Sequence, residues 1–271
     1  MKCNDFDESD DALMIRAKKS LGQHFLRDEN IARKIVEAFL AANNCETILE
    51  VGPGTGALTK FLLRENASNY FAVEADERMI AYLVAEFPEV KPHLFHEDFL
   101  QFDFGKLKTN SLCVIGNFPY NISSQILFRV FENKEMVPMV TGMFQKEVAQ
   151  RIASKHGNKD YGILSVLLQA FYHVKYLFEV NANSFSPPPN VKSAVIQLIR
   201  KKNPPHLKSE LFFRELVKAA FNQRRKMMRN SLSKFLTESS MPEENIWNKR
   251  AEQLSVEEWI ELANDLFRKN N

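Results

Sequence analysis

Thr47-Ile48-Leu49-Glu50-Val51-Gly52-Pro53-Gly54-Thr55-Gly56-Ala57-Leu58-Thr59-Lys60-Phe61-Leu62-Leu63 decides the fold of this chain: an apolar run, a turn with three glycines, then apolar residues at helical spacing. It reads as a strand, a tight turn and the start of a helix. Glycines in such a turn let the backbone come close to a ligand. The loop alone is ambiguous, because Gly52-x-Gly54-x-x-Ala57 also satisfies the loose dinucleotide fingerprint, and Glu74 lies about 20 residues on, where a ribose-binding acid is expected. Glu50 tilts the choice. A carboxylate there sits badly beside a pyrophosphate but suits a ligand with an ammonium and a sulfonium, as in S-adenosylmethionine.

Outward from this stretch, strands and helices alternate. Strands are predicted at Thr47 to Val51, Tyr70 to Glu74, Lys91 to Phe95, Ser111 to Gly116 and Pro138 to Phe144, with helices between them, notably Glu77 to Phe87 and Ile122 to Phe131. Asp28 is a candidate cap for an earlier helix through Ile31, Ile35, Val36 and Phe39. This pattern predicts an α/β fold with a parallel, doubly wound sheet. Val174 to Val180 and Val191 to Ile199 have no helix between them and are expected to pair antiparallel at the sheet edge. After the linker Lys201-Lys202-Asn203-Pro204-Pro205 only helical patterns follow: Glu210 to Phe221, Arg225 to Leu236, and a last helix that Ser255 and Glu258 open with a capping box. The expected organisation is a disordered 1–16, a catalytic domain over 17–202 and a small α-helical domain over 203–271.

Some 65 residues beyond the glycine turn stands Asn117-Phe118-Pro119-Tyr120, just after a predicted strand, at the carboxyl edge where open α/β sheets bind ligands. An exocyclic adenine amine is a poor nucleophile because its lone pair is delocalised into the ring. Acceptors aimed at that amine draw the nitrogen toward tetrahedral geometry and hold it in line with a methyl donor. Asn117 offers its side-chain oxygen and Phe118 its backbone carbonyl, Pro119 stiffens the turn, and Tyr120 offers a face for the base. Together the two motifs point to methyl transfer onto a base nitrogen. Glu74 is placed to accept from ribose hydroxyls and Asp98 from the cofactor's adenine amine. Phe185, beside three prolines, is a candidate for stacking a base lifted out of a helix. Asp76 and Asp103 are read as helix caps or solvated acids.

The chain has 271 residues, 45% of them hydrophobic, enough for one full core and a small second domain. Its net charge of +2 conceals an uneven distribution: eleven Lys or Arg against two acids, net +9, lie between Arg200 and Lys234. Such a patch attracts polyanions. Cys3, Cys45 and Cys113 lack any Cys-x-x-Cys pairing, so neither a disulfide framework nor a zinc site is indicated, and a reducing cytoplasm fits. The six histidines form no ligand set, so no metal is implied, and His93 and His96 are expected at the surface. The acidic N-terminus does not resemble a signal peptide, and no apolar run is long enough to cross a bilayer.

These motifs resemble the small-subunit rRNA adenine N6,N6-dimethyltransferases, the KsgA type, from about Ala17 to Leu266. The resemblance also rests on Lys19-Ser20-Leu21-Gly22-Gln23-His24-Phe25-Leu26, Glu97-Asp98-Phe99, Gln145-Lys146-Glu147-Val148-Ala149 with Arg151, Tyr161-Gly162-x-Leu164-Ser165-Val166, Phe185-Ser186-Pro187-Pro188-Pro189-Asn190-Val191 and Phe221-Asn222-Gln223-Arg224-Arg225-Lys226. It implies a Rossmann-like class I methyltransferase fold, S-adenosylmethionine as donor, and dimethylation of two adjacent adenosines in the 3′-terminal hairpin loop of 16S rRNA within a small-subunit assembly intermediate. It further implies that His24, Leu26, Gly52, Glu74, Asp98 and Asn117 contact the cofactor, that the target adenine lies between Tyr120 and Phe185, and that the basic helical segment, with Arg224, Arg225, Lys226 and Arg229, grips rRNA phosphates. Two positions depart from the family: Phe118 stands where Leu is common, and His24 where Asn is frequent.

Three rival readings fit parts of the sequence: a macrolide-resistance type methyltransferase of large-subunit rRNA, a mainly non-catalytic assembly factor, and, at a distance, a dinucleotide oxidoreductase. Tyr161-Gly162 and the Phe185 to Val191 segment argue against the first. A pure binder has no need of Asn117 and Glu74. A monomer is expected, since no exposed apolar seam is evident.

Overall fold

The computed structural model describes residues 17–18, 21–42, 45–66, 69–236 and 245–270, so the stretch 1–16, expected to be disordered, lies outside the described residues. The predicted strands form one seven-stranded sheet. In chain order the elements that build it are β2 (Thr47–Val51), β3 (Tyr70–Glu74), β4 (Leu94–His96), β5 (Leu112–Asn117), β6 (Met139–Gln145), β7 (Tyr172–Val180) and β9 (Ser193–Arg200), laid out as β4-β3-β2-β5-β6-β9-β7. A separate two-stranded ribbon joins β1 (Phe25–Leu26) to β8 (Phe185–Ser186).

Period-two alternation divides the molecule into layers. Ile48, Tyr70, Ala72, Cys113, Ile115, Met139, Met143 and Val195 face one side, under α1 (Glu29–Leu40), α2 (Thr59–Asn66) and α3 (Glu77–Glu86). Leu49, Val51, Val73, Val114, Val140, Phe144 and Ile196 face the other, under α4 (Ser123–Glu132), α5 (Lys146–Ala153) and α6 (Ile163–Phe171). The second cluster continues without interruption into α7 (Glu210–Asn222) and α9 (Val256–Asn270), where Trp259 is fully buried. Lys134 to Glu210 and Arg214 to Glu132, each 2.5 Å, tie α7 to the end of α4.

The antiparallel pair stands at the predicted side of the sheet. The later strand is the inner one: β9 runs antiparallel to both β6 and β7, and β7 forms the rim. Caps are where the sequence places them. Asp28 accepts from Asn30 and Ile31 at the start of α1, and Ser255 and Glu258 exchange both bonds of the capping box.

Four expectations need correction. Lys91 to Phe95 is mostly not strand: residues 88–93 form a 3-10 turn and pairing begins at Leu94, because Pro92 has no N–H to give the ladder. Arg225 to Leu236 is not one helix. Met228 spends its backbone N–H on Lys249, leaving a short α8 (Met228–Ser231) and a 3-10 turn. His93 is half-buried, edge-on to Phe71 at 5.3 Å. Finally, Cys45 and Cys113 are joined as a disulfide, their Cα atoms 5.6 Å apart, because Cys45 lies two residues before β2 and Cys113 sits on its neighbour β5. No helix among the described residues is long and apolar enough to cross a membrane.

Candidate active site

The alternation that sorts the core also gathers the polar residues. Glu50 shares the face of Ile48, Glu74 that of Tyr70 and Ala72, and Asn117 that of Cys113 and Ile115. Ala72 and Ile115 both pair with Glu50, so Glu74 and Asn117 each lie two residues beyond it on adjacent parallel strands. All three line one cavity at the carboxyl ends of the strands, with His24, Leu26, Gly52, Asp98, Phe118, Pro119 and Tyr120.

Glu50 is almost completely buried, and its Oε2 accepts from the hydroxyls of Thr59 (2.8 Å) and Tyr70 (2.7 Å). Oε1 takes no hydrogen bond among the described residues and is left to the cavity. Burial pushes this carboxyl up to about 7, against the pull of the two hydroxyls. Glu74 accepts three backbone N–H groups, from Gly54, Ala75 and Asp76 at 2.9–3.1 Å, and burial raises its pKa. The bond from Gly54 requires the turn to double back, which Gly54 does at φ +55°. Exposed Asp98 uses Oδ1 to accept from Leu100, and its Oδ2 accepts no hydrogen bond among the described residues.

Residues 21–26 cross the cavity as a strap. The β1–β8 ribbon holds one end. At the other, Asp76 receives Gln23 (3.0 Å), Lys18 (3.3 Å) and the guanidinium of Arg78, whose contacts hold its carboxyl well below the usual range. Asp76 does cap α3, as expected, by accepting from the Arg78 N–H. It is nonetheless buried, and its anchoring of the strap was missed.

In the clamp, Asn117 donates Nδ2 to the carbonyl of His24 at 2.9 Å, which frees its Oδ1. No hydrogen bond among the described residues reaches the Phe118 carbonyl. The Phe118 ring is buried against Phe144, in space left by Gly116 and Gly142; a Cβ on Gly142 would fall 2.0 Å from the ring. The extra bulk of Phe is thus accommodated on the sheet's far face, away from the cavity. Tyr120 bonds the Ser193 hydroxyl and stacks on His24, ring centroids 5.4 Å apart.

Phe185 is not among the cavity residues. It belongs to the β1–β8 ribbon, is 4% exposed in the same buried cluster as Leu26, and the ring found on Tyr120 is that of His24. The basic quartet follows α7, outside the cavity. There Arg224 meets Glu252 and the Asn158 carbonyl, and Arg229 bonds Asn248, whereas no side-chain bond holds Arg225 or Lys226 among the described residues.

Residues 14–267 match the family model described as ribosomal RNA adenine dimethylase. Two proteins named ribosomal RNA small subunit methyltransferase A are each 48% identical to this chain. That of Cytophaga hutchinsonii aligns over 93% of this chain and 98% of its own, that of Flavobacterium johnsoniae over 92% and 95%. A crystal structure of a dimethyladenosine transferase from Plasmodium falciparum has a TM-score of 0.74 over 91% of this chain and 98% of its own. That of the 23S rRNA methyltransferase ErmE has 0.65 over 90% and 99%. Both are 23% identical to this chain and speak for the fold alone.

Proposed function

The chain belongs to the ribosomal RNA adenine dimethylase family, and from that premise we propose that it dimethylates the N6 amines of two adjacent adenosines in the 3′-terminal hairpin loop of 16S rRNA, with S-adenosylmethionine as donor, during small-subunit assembly. The observation that carries this reading is the shared cavity: Asn117 and Phe118, whose Oδ1 and backbone carbonyl accept no hydrogen bond among the described residues, line the same space as Glu50, Glu74 and Asp98.

The cavity's chemistry fits S-adenosylmethionine. Three carboxylates converge on it, and in Glu50 one oxygen accepts no hydrogen bond among the described residues, while apolar Leu26 and Phe25 close its lid side. Glu50 would hold the cationic amino-acid end, Glu74 the ribose and Asp98 the adenine, with His24 and Leu26 closing the pocket. The donor supplies an activated methyl on a sulfonium, and its charge is neutralised as the methyl leaves, so no strong general base is required. Asn117 and Phe118 accept from the two N–H bonds of the target amine and align its lone pair. Tyr120 supports the base from one face, its ring fixed by Ser193. His24 already stacks on Tyr120, so the base would enter by displacing or sliding over that imidazole, with Phe185 supporting the loop from below.

Residues 203–271 would hold RNA, chiefly through Arg225 and Lys226, with Arg224 and Arg229 oriented by their protein partners. The enzyme acts as a monomer, in the cytoplasm, on a partly assembled particle. Sedimentation at low concentration tests the first of these; comparing naked RNA with particles tests the last.

The decisive experiment offers labelled S-adenosylmethionine to unmethylated small and large ribosomal subunits and identifies the nucleoside by mass. N6,N6-dimethyladenosine on the small subunit alone is the expected result. Label on the large subunit alone would overturn it.

A further inference from the structure

A second cavity opens at the other end of the sheet, where the start of β7, the α5–α6 loop and the first turn of α9 meet. Lys155, His156, His173 and Lys201 border it, with Glu257 as the opposing acid. Neither lysine ammonium has an ion pair among the described residues. The Tyr161 hydroxyl is buried and has no hydrogen-bond partner among the described residues, which is costly for a polar group without a purpose. Burial, and after it the carboxylates of Glu257 and Glu258, raise its pKa, so this hydroxyl keeps its proton and can serve as a donor at the cavity that Tyr161 borders with Val256 and Glu257.

The position of the cavity matters as much as its charge. Tyr172 and Arg200 pair at this end of the sheet, and Ser193, which holds Tyr120, starts β9 at the other. Seven residues of strand separate them, roughly 23 Å. A group bound here cannot belong to the nucleotide in the clamp. The loop carrying Lys155 and His156 is fastened to the C-terminal helices through Gly157 N–H to the Glu252 carbonyl (2.6 Å), Arg224 to the Asn158 carbonyl (3.3 Å) and Tyr161 against Phe221. It is therefore continuous with the basic run that begins at Arg224. Two free ammonium groups, two imidazoles and an unfilled hydroxyl donor match a phosphodiester.

We propose that this cavity seats a backbone phosphate of the rRNA, distant from the reacting base, and so sets how the RNA lies across the protein. The proposal rests on the rRNA reading above and adds to it a second point of attachment. Tyr161 here is a positioning residue that donates to the phosphate; it takes no part in methyl transfer.

The test is salt-dependent binding of unmethylated small-subunit rRNA to the full chain. Each lost phosphate contact lowers the slope of log affinity against log salt by about 0.7 to 0.9. Lys155→Ala with Lys201→Ala is expected to lower the slope by one to two and to weaken binding about 10-fold at low salt. Tyr161→Phe is expected to weaken binding several-fold with no change of slope. A charge-matched control on the opposite half of the sheet, Lys91→Ala with Arg64→Ala, should bind as the parent does. Melting temperature and S-adenosylmethionine affinity report that the variants fold. A double variant that binds with the parent's affinity and slope overturns the proposal. If the parent methylates small subunits normally while that is so, the second site alone falls. If the parent neither binds nor methylates the RNA, the functional reading falls with it.

Discussion

Asn117 Nδ2 donates to the backbone carbonyl of His24 at 2.9 Å. That bond joins the clamp to the strap and fixes which end of the amide faces the cavity. The nitrogen is committed to the protein, and the oxygen is what a substrate amine would meet.

Asn117→Ala is therefore expected to bind S-adenosylmethionine within a few-fold of the parent and to transfer methyl groups at least 100-fold more slowly, since one lost transition-state acceptor costs roughly 3 to 4 kcal/mol. Single-turnover transfer and equilibrium cofactor binding, measured on the same preparation, separate the two effects. Near-normal transfer would remove Asn117 from the clamp.

Glu50 predicts a pH dependence. Its folded pKa, about 7, lies above the ordinary carboxyl value of 4.5. A raised pKa means stability that is full below about 4.5 and is lost as pH climbs through 7, worth at most about 3 kcal/mol for a shift of this size. A cationic ligand beside the ionised carboxylate reverses the preference, so S-adenosylmethionine should bind more tightly as pH rises from 6 to 8. In Glu50→Gln both the decline in melting temperature over that range and the gain in cofactor affinity should flatten. Identical pH profiles for the two proteins would dismiss the coupling.

Asp76 anchors the strap through Gln23 and Lys18. Asp76→Asn should weaken cofactor binding about 10-fold, roughly 1.4 kcal/mol, and speed tryptic cleavage at Arg27, which follows the strap. Unchanged cleavage and affinity would mean that the β1–β8 ribbon suffices to hold it.

Phe118 and Gly142 form a fitted pair on the far face of the sheet. Gly142→Ala puts a Cβ 2.0 Å from the ring and should lower stability by about 1 to 3 kcal/mol. Phe118→Leu in the same chain should recover much of that loss, because the smaller side chain leaves room for the new methyl. Thermal melts of the four proteins give a double-mutant cycle; strictly additive losses would show that the ring and the glycine do not meet.

The parallel strands and most of the cavity were legible because alternation, glycine spacing and strand ends are local properties of the chain. Glu50, Glu74 and Asn117 could be placed from their own neighbourhoods. The partners of Glu50 could not. Tyr70 reaches it only through the register of β2 against β3, and Thr59 only through the return of α2 over the sheet. Asp76 read as a cap because capping is a two-residue relationship, whereas its bonds to Gln23 and Lys18 span more than fifty residues. Phe185 looked like a free ring in a polar loop. Nothing nearby in sequence announces the ribbon with Leu26 that buries it. Cys45 and Cys113 lie 68 positions apart and meet only because β2, which Cys45 leads into, is the neighbour of β5, which carries Cys113.

The inward placement of β9 also governs when a nascent chain becomes competent. While the ribosome is still extending the chain through β7, the outer side of β6 has no ladder partner and Tyr120 has no Ser193 to lean on. The strap is equally unfastened until Phe185 and Ser186 emerge to receive Phe25 and Leu26. Every motif that names the cofactor site is synthesised before residue 120, yet the site closes only after the strand that starts at Ser193 has left the exit tunnel and slotted inward. A premature stop before that point would leave a fragment bearing the full glycine and Asn-Phe-Pro-Tyr signatures, an open sheet edge prone to aggregation, and no working clamp.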